Sequence, residues 1–278
     1  MLVLAMMVGC TKSDGCDTGG EEVTAHNYEE LGCPIYAGFD IEGNAFDVLA
    51  DADLSGTENL CVDLVDPTPV VDETGPLEYL FEDVPVAEDG TFAFRKVATT
   101  SIIGLVMITD DCDDSTDNWA PLGTGVPSDT VGAMDYGDVT TGHDAYVMST
   151  ADLAVIETDL ATAGYSGGNG LTTDGYVMGV VIDGTDPASA NNMSGEVVTF
   201  TQDETLGVYY GDADLSDGRF TTADKPNTVT DASTNVGFFI PAGPIGNYTA
   251  DYGSDRFYEV LGGSTEGIGM FVRVALYE

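Results

Sequence analysis

The chain has 278 residues and 29.0 kDa, with 49 acidic side chains against 7 basic ones, a formal net charge of −42 and a pI near 4.1. So few cations cannot assemble a phosphate-binding surface, which excludes a nucleic-acid role, and an anionic membrane surface is repelled for the same reason. Apolar residues make up 43% and glycines number 35, enough to bury a core in one large domain or in two of about 100–150 residues.

Met1 to Gly9 is an apolar run. It falls far short of the ~20 residues a bilayer span needs and suits the apolar part of a secretory signal. The stretch Met7-Val8-Gly9-Cys10 resembles the lipobox of bacterial lipoproteins, in which a small residue precedes the cysteine that becomes the lipidated amino terminus. Met7 stands where that pattern usually has Leu, and no basic residue precedes the run. The resemblance implies a signal over 1–9, lipid on Cys10 and a tether over 10–34. The exported protein would then meet the outer membrane only through its lipid, on the periplasmic face or the cell surface. Thr11 to Glu22 is polar and glycine-rich, as a tether should be.

Setting Cys10 aside leaves Cys16, Cys33, Cys61 and Cys112, an even set that in an exported protein points to disulfides with three possible connectivities. Cys16–Cys33 and Cys61–Cys112 are favoured, because each closes a local unit. No Cys-x-x-Cys occurs, and His26 and His143 lie far apart in the sequence, which argues against zinc.

From Gly43 onward short β-rich runs alternate with turn residues. They include 45–49, 60–65, 77–81, 84–87, 91–94 and the apolar run 102–108. Glu88-Asp89-Gly90 between two of these runs predicts a hairpin turn with Gly90 at φ > 0. The remainder repeats the plan with runs at 176–184, 196–200, 207–210, 236–241, 246–250 and 269–276. Strands at this spacing without helical periodicity predict antiparallel sandwiches.

Gly179 to Asp183, Gly237 to Pro241 and Pro244-Ile245-Gly246-Asn247-Tyr248-Thr249 together resemble the carboxypeptidase regulatory-like domain. Asp89-Gly90-Thr91-Phe92-Ala93-Phe94 matches the same family's turn and strand, while Gly43 to Asp47 lacks the Val expected in its opening strand. The likeness covers roughly 37–112 and 175–278. It implies an all-β fold of two tandem immunoglobulin-like, transthyretin-like β-sandwiches, at 35–112 and 175–278, and implies no peptidase activity. Between them, 113–174 is expected to be a linker carrying one helix near 149–163. Ser149 would cap that helix, Leu153, Ile156 and Leu160 share a face, and Gly164 would end it. Tyr165 to Asp174 reads as a joint.

Catalytic motifs are poor. Asp17-Thr18-Gly19 sits in the polar tether rather than after a buried strand, as an aspartic protease would need. Gly167-Gly168-Asn169-Gly170 has no cation nearby for a phosphate, and no nucleophile elbow accompanies the two histidines. Carboxylate runs are richer: Asp110, Asp111, Asp113, Asp114 and Asp117 form one, and Asp212, Asp214 and Asp217 another that departs from the EF-hand spacing. Either could supply oxygens to calcium, or both could belong to a salt-adapted acidic face. The expected object is therefore a non-catalytic exported lipoprotein, a cell-envelope binding or scaffold module whose partner is an envelope protein or a glycan. The alternatives are a carbohydrate-binding accessory module, with Trp119, Tyr209 and Tyr210 as its platform, and a fibre subunit polymerising by strand exchange.

Overall fold

A computed structural model of the chain describes residues 23–24, 26–27, 30–31, 38–49, 52–55, 59–98, 104–113, 117–126, 134–135, 137–166, 168–183, 197–200, 207–211, 220–221, 237–243, 246–252, 256–262 and 267–276. The fold is all-β, with one helix of more than a single turn among these residues. In the first half the strands are β1 (Phe39–Asp47), β2 (Ala52–Asp53), β3 (Leu60–Asp66), β4 (Glu78–Pro85), β5 (Thr91–Val97) and β6 (Leu105–Asp111), with the one-turn helix α1 (Thr68–Val71) after β3. Next come β7 (Trp119–Ala120), β8 (Leu122–Val126), β9 (Val139–Ser149), helix α2 (Thr150–Thr162) and the one-turn helix α3 (Leu171–Asp174). The second half holds β10 (Tyr176–Asp183), β11 (Val197–Phe200), β12 (Tyr209–Gly211), β13 (Phe220–Thr221), β14 (Phe238–Pro241), β15 (Gly246–Tyr252), β16 (Arg256–Gly262) and β17 (Gly269–Leu276).

One sheet runs β2-β1-β9-β7 with β5 also on β1, and a small one runs β11-β15-β16. The largest runs β13-β12-β14-β10-β17-β8-β6-β3-β4 and so takes strands from both halves. Its seam is the parallel pairing of β17 with β8, Gly269 opposite Leu122 and Phe271 opposite Thr124. The two halves expected as separate modules therefore share a sheet. The segment 113–174, expected as a linker, supplies β7, β8 and β9 to two sheets. Tyr165 to Asp174, expected as a joint, holds α3 with the fully buried Leu171.

Each half nevertheless follows one plan. Its opening strand carries an antiparallel strand on one side and the half's last strand, parallel, on the other. In the first half β5 and β9 flank β1, and in the second β14 and β17 flank β10.

The first core lies between the five-stranded sheet and the β3, β6 and β8 part of the large sheet. Ile41, Ala45, Phe92, Phe94, Ala145 and Val147 meet Leu60, Val62, Leu64, Leu105 and Met107 there. The second core brings Leu153, Ile156 and Leu160 of α2 against Tyr146, Tyr176, Met178, Phe239 and Phe271. Helix α2 forms as its sequence predicts. Ser149 is extended and its hydroxyl accepts the Asp152 N–H at 3.0 Å, while Gly164 beyond the last turn takes φ 102°.

The Asp89-Gly90 turn also forms, with Gly90 at φ 88°. It is not a hairpin: β4 pairs with β3 and β5 with β1, so the turn carries the chain from one sheet to the other. Its local bonds are Gly90 N–H to the Ala87 carbonyl at 2.8 Å and Ala87 N–H to the Thr91 carbonyl at 2.8 Å. At Tyr146 of β9, threonines of β6 and β8 stand in for a neighbouring strand. Thr124 Oγ1 accepts the Tyr146 N–H at 3.0 Å, and Thr109 Oγ1 donates to the Tyr146 carbonyl at 2.7 Å.

Candidate functional site

The sequence singles out the β6–β7 connection, where a cysteine sits among aspartates. Cys61 on β3 faces Asp110 on β6, and Cys61 is bonded to Cys112, 51 residues on. The Cys112 N–H donates to the Asn59 carbonyl at 3.1 Å, and Asn59, held at φ 60°, donates through Nδ2 to Asp111 Oδ1 at 3.1 Å. Asp111 Oδ2 accepts the backbone N–H groups of Asn118 at 2.8 Å and Trp119 at 3.0 Å. Both oxygens of Asp111 thus close the loop that the disulfide anchors. Thr150, at the start of α2, donates its N–H to the Asn118 carbonyl at 2.9 Å and its hydroxyl to Asp117 Oδ1 at 3.3 Å.

This arrangement ties two strands and a helix start together. Asp113 and Asp117 are exposed. Among the described residues no three His, Cys, Asp or Glu side chains come together as a metal-ligand group. Asp114, the second run at Asp212, Asp214 and Asp217, the Asp17-Thr18-Gly19 string, and Cys10, Cys16 and Cys33 lie outside the described residues.

The aromatics named for a glycan platform do not share a face. Tyr210 is buried, and half-buried Tyr209 packs edge-on against Tyr165, ring centroids 6.2 Å apart. Trp119 leans on the first core, its Nε1 enclosed without a hydrogen-bond partner among the described residues. These are packing residues, and the sequence could not show it because strand alternation alone does not say which side is covered. The histidines are also taken up locally. His143 Nε2 lies 2.7 Å from Thr140 Oγ1, and burial pushes the imidazole pKa down against the pull of Asp144.

An ionic cluster sits on the outer side of the five-stranded sheet, and no sequence motif announced it. Asp40 is fully buried, and its carboxylate accepts Arg95 Nη1 at 2.7 Å and the Lys96 N–H at 3.0 Å. Arg95 Nη1 also donates to Glu42 Oε1 at 2.5 Å, which His26 Nε2 approaches at 3.2 Å. Burial by itself would raise the Glu42 pKa, but the bonds from Arg95 and His26 outweigh it and hold the carboxylate below its ordinary range. One of the chain's few cations is thus spent on offsetting a buried carboxylate. Asp63 on β3 has no such cation among the described residues. Burial, then the charges of Asp83 and Glu82, push its pKa up, although it accepts the Asp83 N–H at 2.8 Å. Asp83 takes φ 55° where β4 bulges against β3.

No family model matches the chain, and no curated protein sequence matches it. Among solved structures it is similar to a streptococcal ancillary pilin, at 11% identity and a TM-score of 0.23 over 85% of this chain and 62% of that one. It is also similar to the Bacillus anthracis TIE protein, at 9% identity and a TM-score of 0.22 over 86% of this chain and 34% of that one. The chain spans less than two thirds of the length of each.

Proposed function

We propose that the chain is a non-catalytic, exported module of the bacterial cell envelope, tethered by lipid on Cys10, that binds or scaffolds an envelope protein or a glycan. The observation that carries this reading is the Cys61–Cys112 disulfide, with Cys61 buried between strands. Disulfides of this kind form and persist in oxidising compartments. The acidity agrees with it, since −42 charges keep the module soluble and leave the lipid, rather than the protein surface, to hold it at an anionic bilayer.

Envelope fractionation followed by mass spectrometry tests the reading. Intact protein from the membrane fraction should carry an acyl group on Cys10 and an oxidised Cys61–Cys112 pair, and in-cell cross-linking should then capture its partner. Recovery from the cytosol with free thiols at Cys61 and Cys112 would sink it.

A further inference from the structure

We propose that the fold is built to carry tension between its two ends. In each half the first and last strands are direct neighbours and run parallel. The β1–β9 ladder runs from Asp40 opposite Val139 to Asp47 opposite Val147, with a register shift between Ile41 and Gly43 and an unbroken stretch from Gly43 opposite His143 onward. The β10–β17 ladder extends from Tyr176 opposite Gly269 to Asp183 opposite Leu276. A force applied at the two chain ends pulls β1 from its amino-terminal end and β9 from its carboxyl-terminal end. In parallel strands those ends lie at opposite edges of the ladder. The evenly spaced backbone bonds are therefore loaded together, in shear, rather than opened one after another. The same holds for β10 and β17.

The last strand is held twice. Over Gly269, Met270 and Phe271, β17 has β10 on one side and β8 on the other, both parallel to it. Withdrawing β17 must therefore shear two ladders at once, and one of them belongs to the other half. Should the β1–β9 ladder give way, the Cys61–Cys112 bond still withholds the 51-residue separation between its cysteines from extension, about 170–180 Å at the reach of an extended chain. Load-bearing goes beyond the envelope reading and does not depend on it, because a chain without lipid would show the same mechanics.

Single-molecule stretching of the full chain tests the proposal. One geometry pulls through the two termini. The other pulls between the amino terminus and a handle coupled at position 135, where exposed Asp135 lies just before β9. The second geometry grips β1 and β9 at the same edge, so the ladder opens bond by bond. At equal loading rate the end-to-end geometry should rupture at a force at least about twofold higher, since parallel bonds then share the load. With reductant the released length should grow by about 170–180 Å, the reach of the 51-residue separation. Equal or lower force in the end-to-end geometry would overturn the proposal. A released length indifferent to reductant would overturn the part assigned to the disulfide.

Discussion

Gly43 lies beneath the ring of Phe92, its strand neighbour on β5, with the His143 carbonyl of β9 closing in from the other side. Gly179 repeats the relationship beneath Phe238 of β14 and against the Val272 carbonyl of β17. A Cβ at either position would collide with that carbonyl oxygen and with the ring. The glycines let an aromatic cover the opening strand of each half while the parallel strand stays close.

Gly43→Ala and Gly179→Ala should therefore each cost about 1–3 kcal/mol or more through overpacking. Gly142 supplies the control, because a Cβ there meets nothing within 4 Å and only its φ of 79° resists a side chain. Gly142→Ala should cost about 1–2 kcal/mol. Urea unfolding of the three variants would show the order.

Thr109→Val keeps the shape of a buried side chain and removes the hydroxyl that donates to the Tyr146 carbonyl. The expected loss is about 1–3 kcal/mol, and Thr109→Ser should recover most of it. If the hydroxyl merely fills space, Thr109→Val will be neutral in chemical denaturation and Thr109→Ser the worse of the two.

Asp63 gives a pH dependence whose sign follows from its environment. Its folded-state pKa lies above the ordinary 3.8, so this group favours the fold below that value. The contribution disappears as pH rises through the folded-state pKa. Asp63→Asn keeps an acceptor for the Asp83 N–H and removes the charge that Asp83 and Glu82 oppose. Its Tm should exceed that of the parent at pH 7, with the gap narrowing as the pH falls toward the acid range. A gap that stays constant with pH would assign the effect to packing.

The Tyr176 hydroxyl is enclosed with no hydrogen-bond partner among the described residues, and burial pushes its pKa upward. Its ring stacks on Phe239 at 5.1 Å between centroids and lies against Gly269. Tyr176→Phe should keep the stack and raise stability by about 1–2 kcal/mol, because the buried hydroxyl gains nothing for its lost hydration. Thermal unfolding would reveal it, and a loss of stability would mean the hydroxyl has a partner in solution.

The class of fold, the capped helix from Ser149 to Gly164 and the Cys61–Cys112 pair were legible because each rests on local chemistry or simple arithmetic. The long strand β9 was not. Val139-Thr140-Thr141-Gly142-His143-Asp144 falls in the segment expected as a linker, and it is a strand because β1 pairs with it from about 100 residues away, a tertiary influence that outweighs propensity. The Asp89-Gly90 turn was legible as a turn but not as a crossing between sheets, since turn chemistry is silent about which partners the flanking strands choose. The ionic cluster was hidden for a related reason: Arg95 lies more than 50 residues from Asp40 and Glu42 in sequence and meets them only through the β1–β5 register. The platform drawn from Trp119, Tyr209 and Tyr210 failed because burial, not residue type, decides whether an aromatic is available to a ligand.

The seam between β8 and β17 also governs the order in which the protein can be made. β17 runs to Leu276 and occupies an interior position in the large sheet, with β10 on one side and β8 on the other. During synthesis β8 and β10 each lack one neighbour in that sheet until β17 has left the ribosome. The five-stranded sheet, whose strands all lie before Thr150, has no such dependence, so the two sheets that enclose the first core are completed at different stages of synthesis.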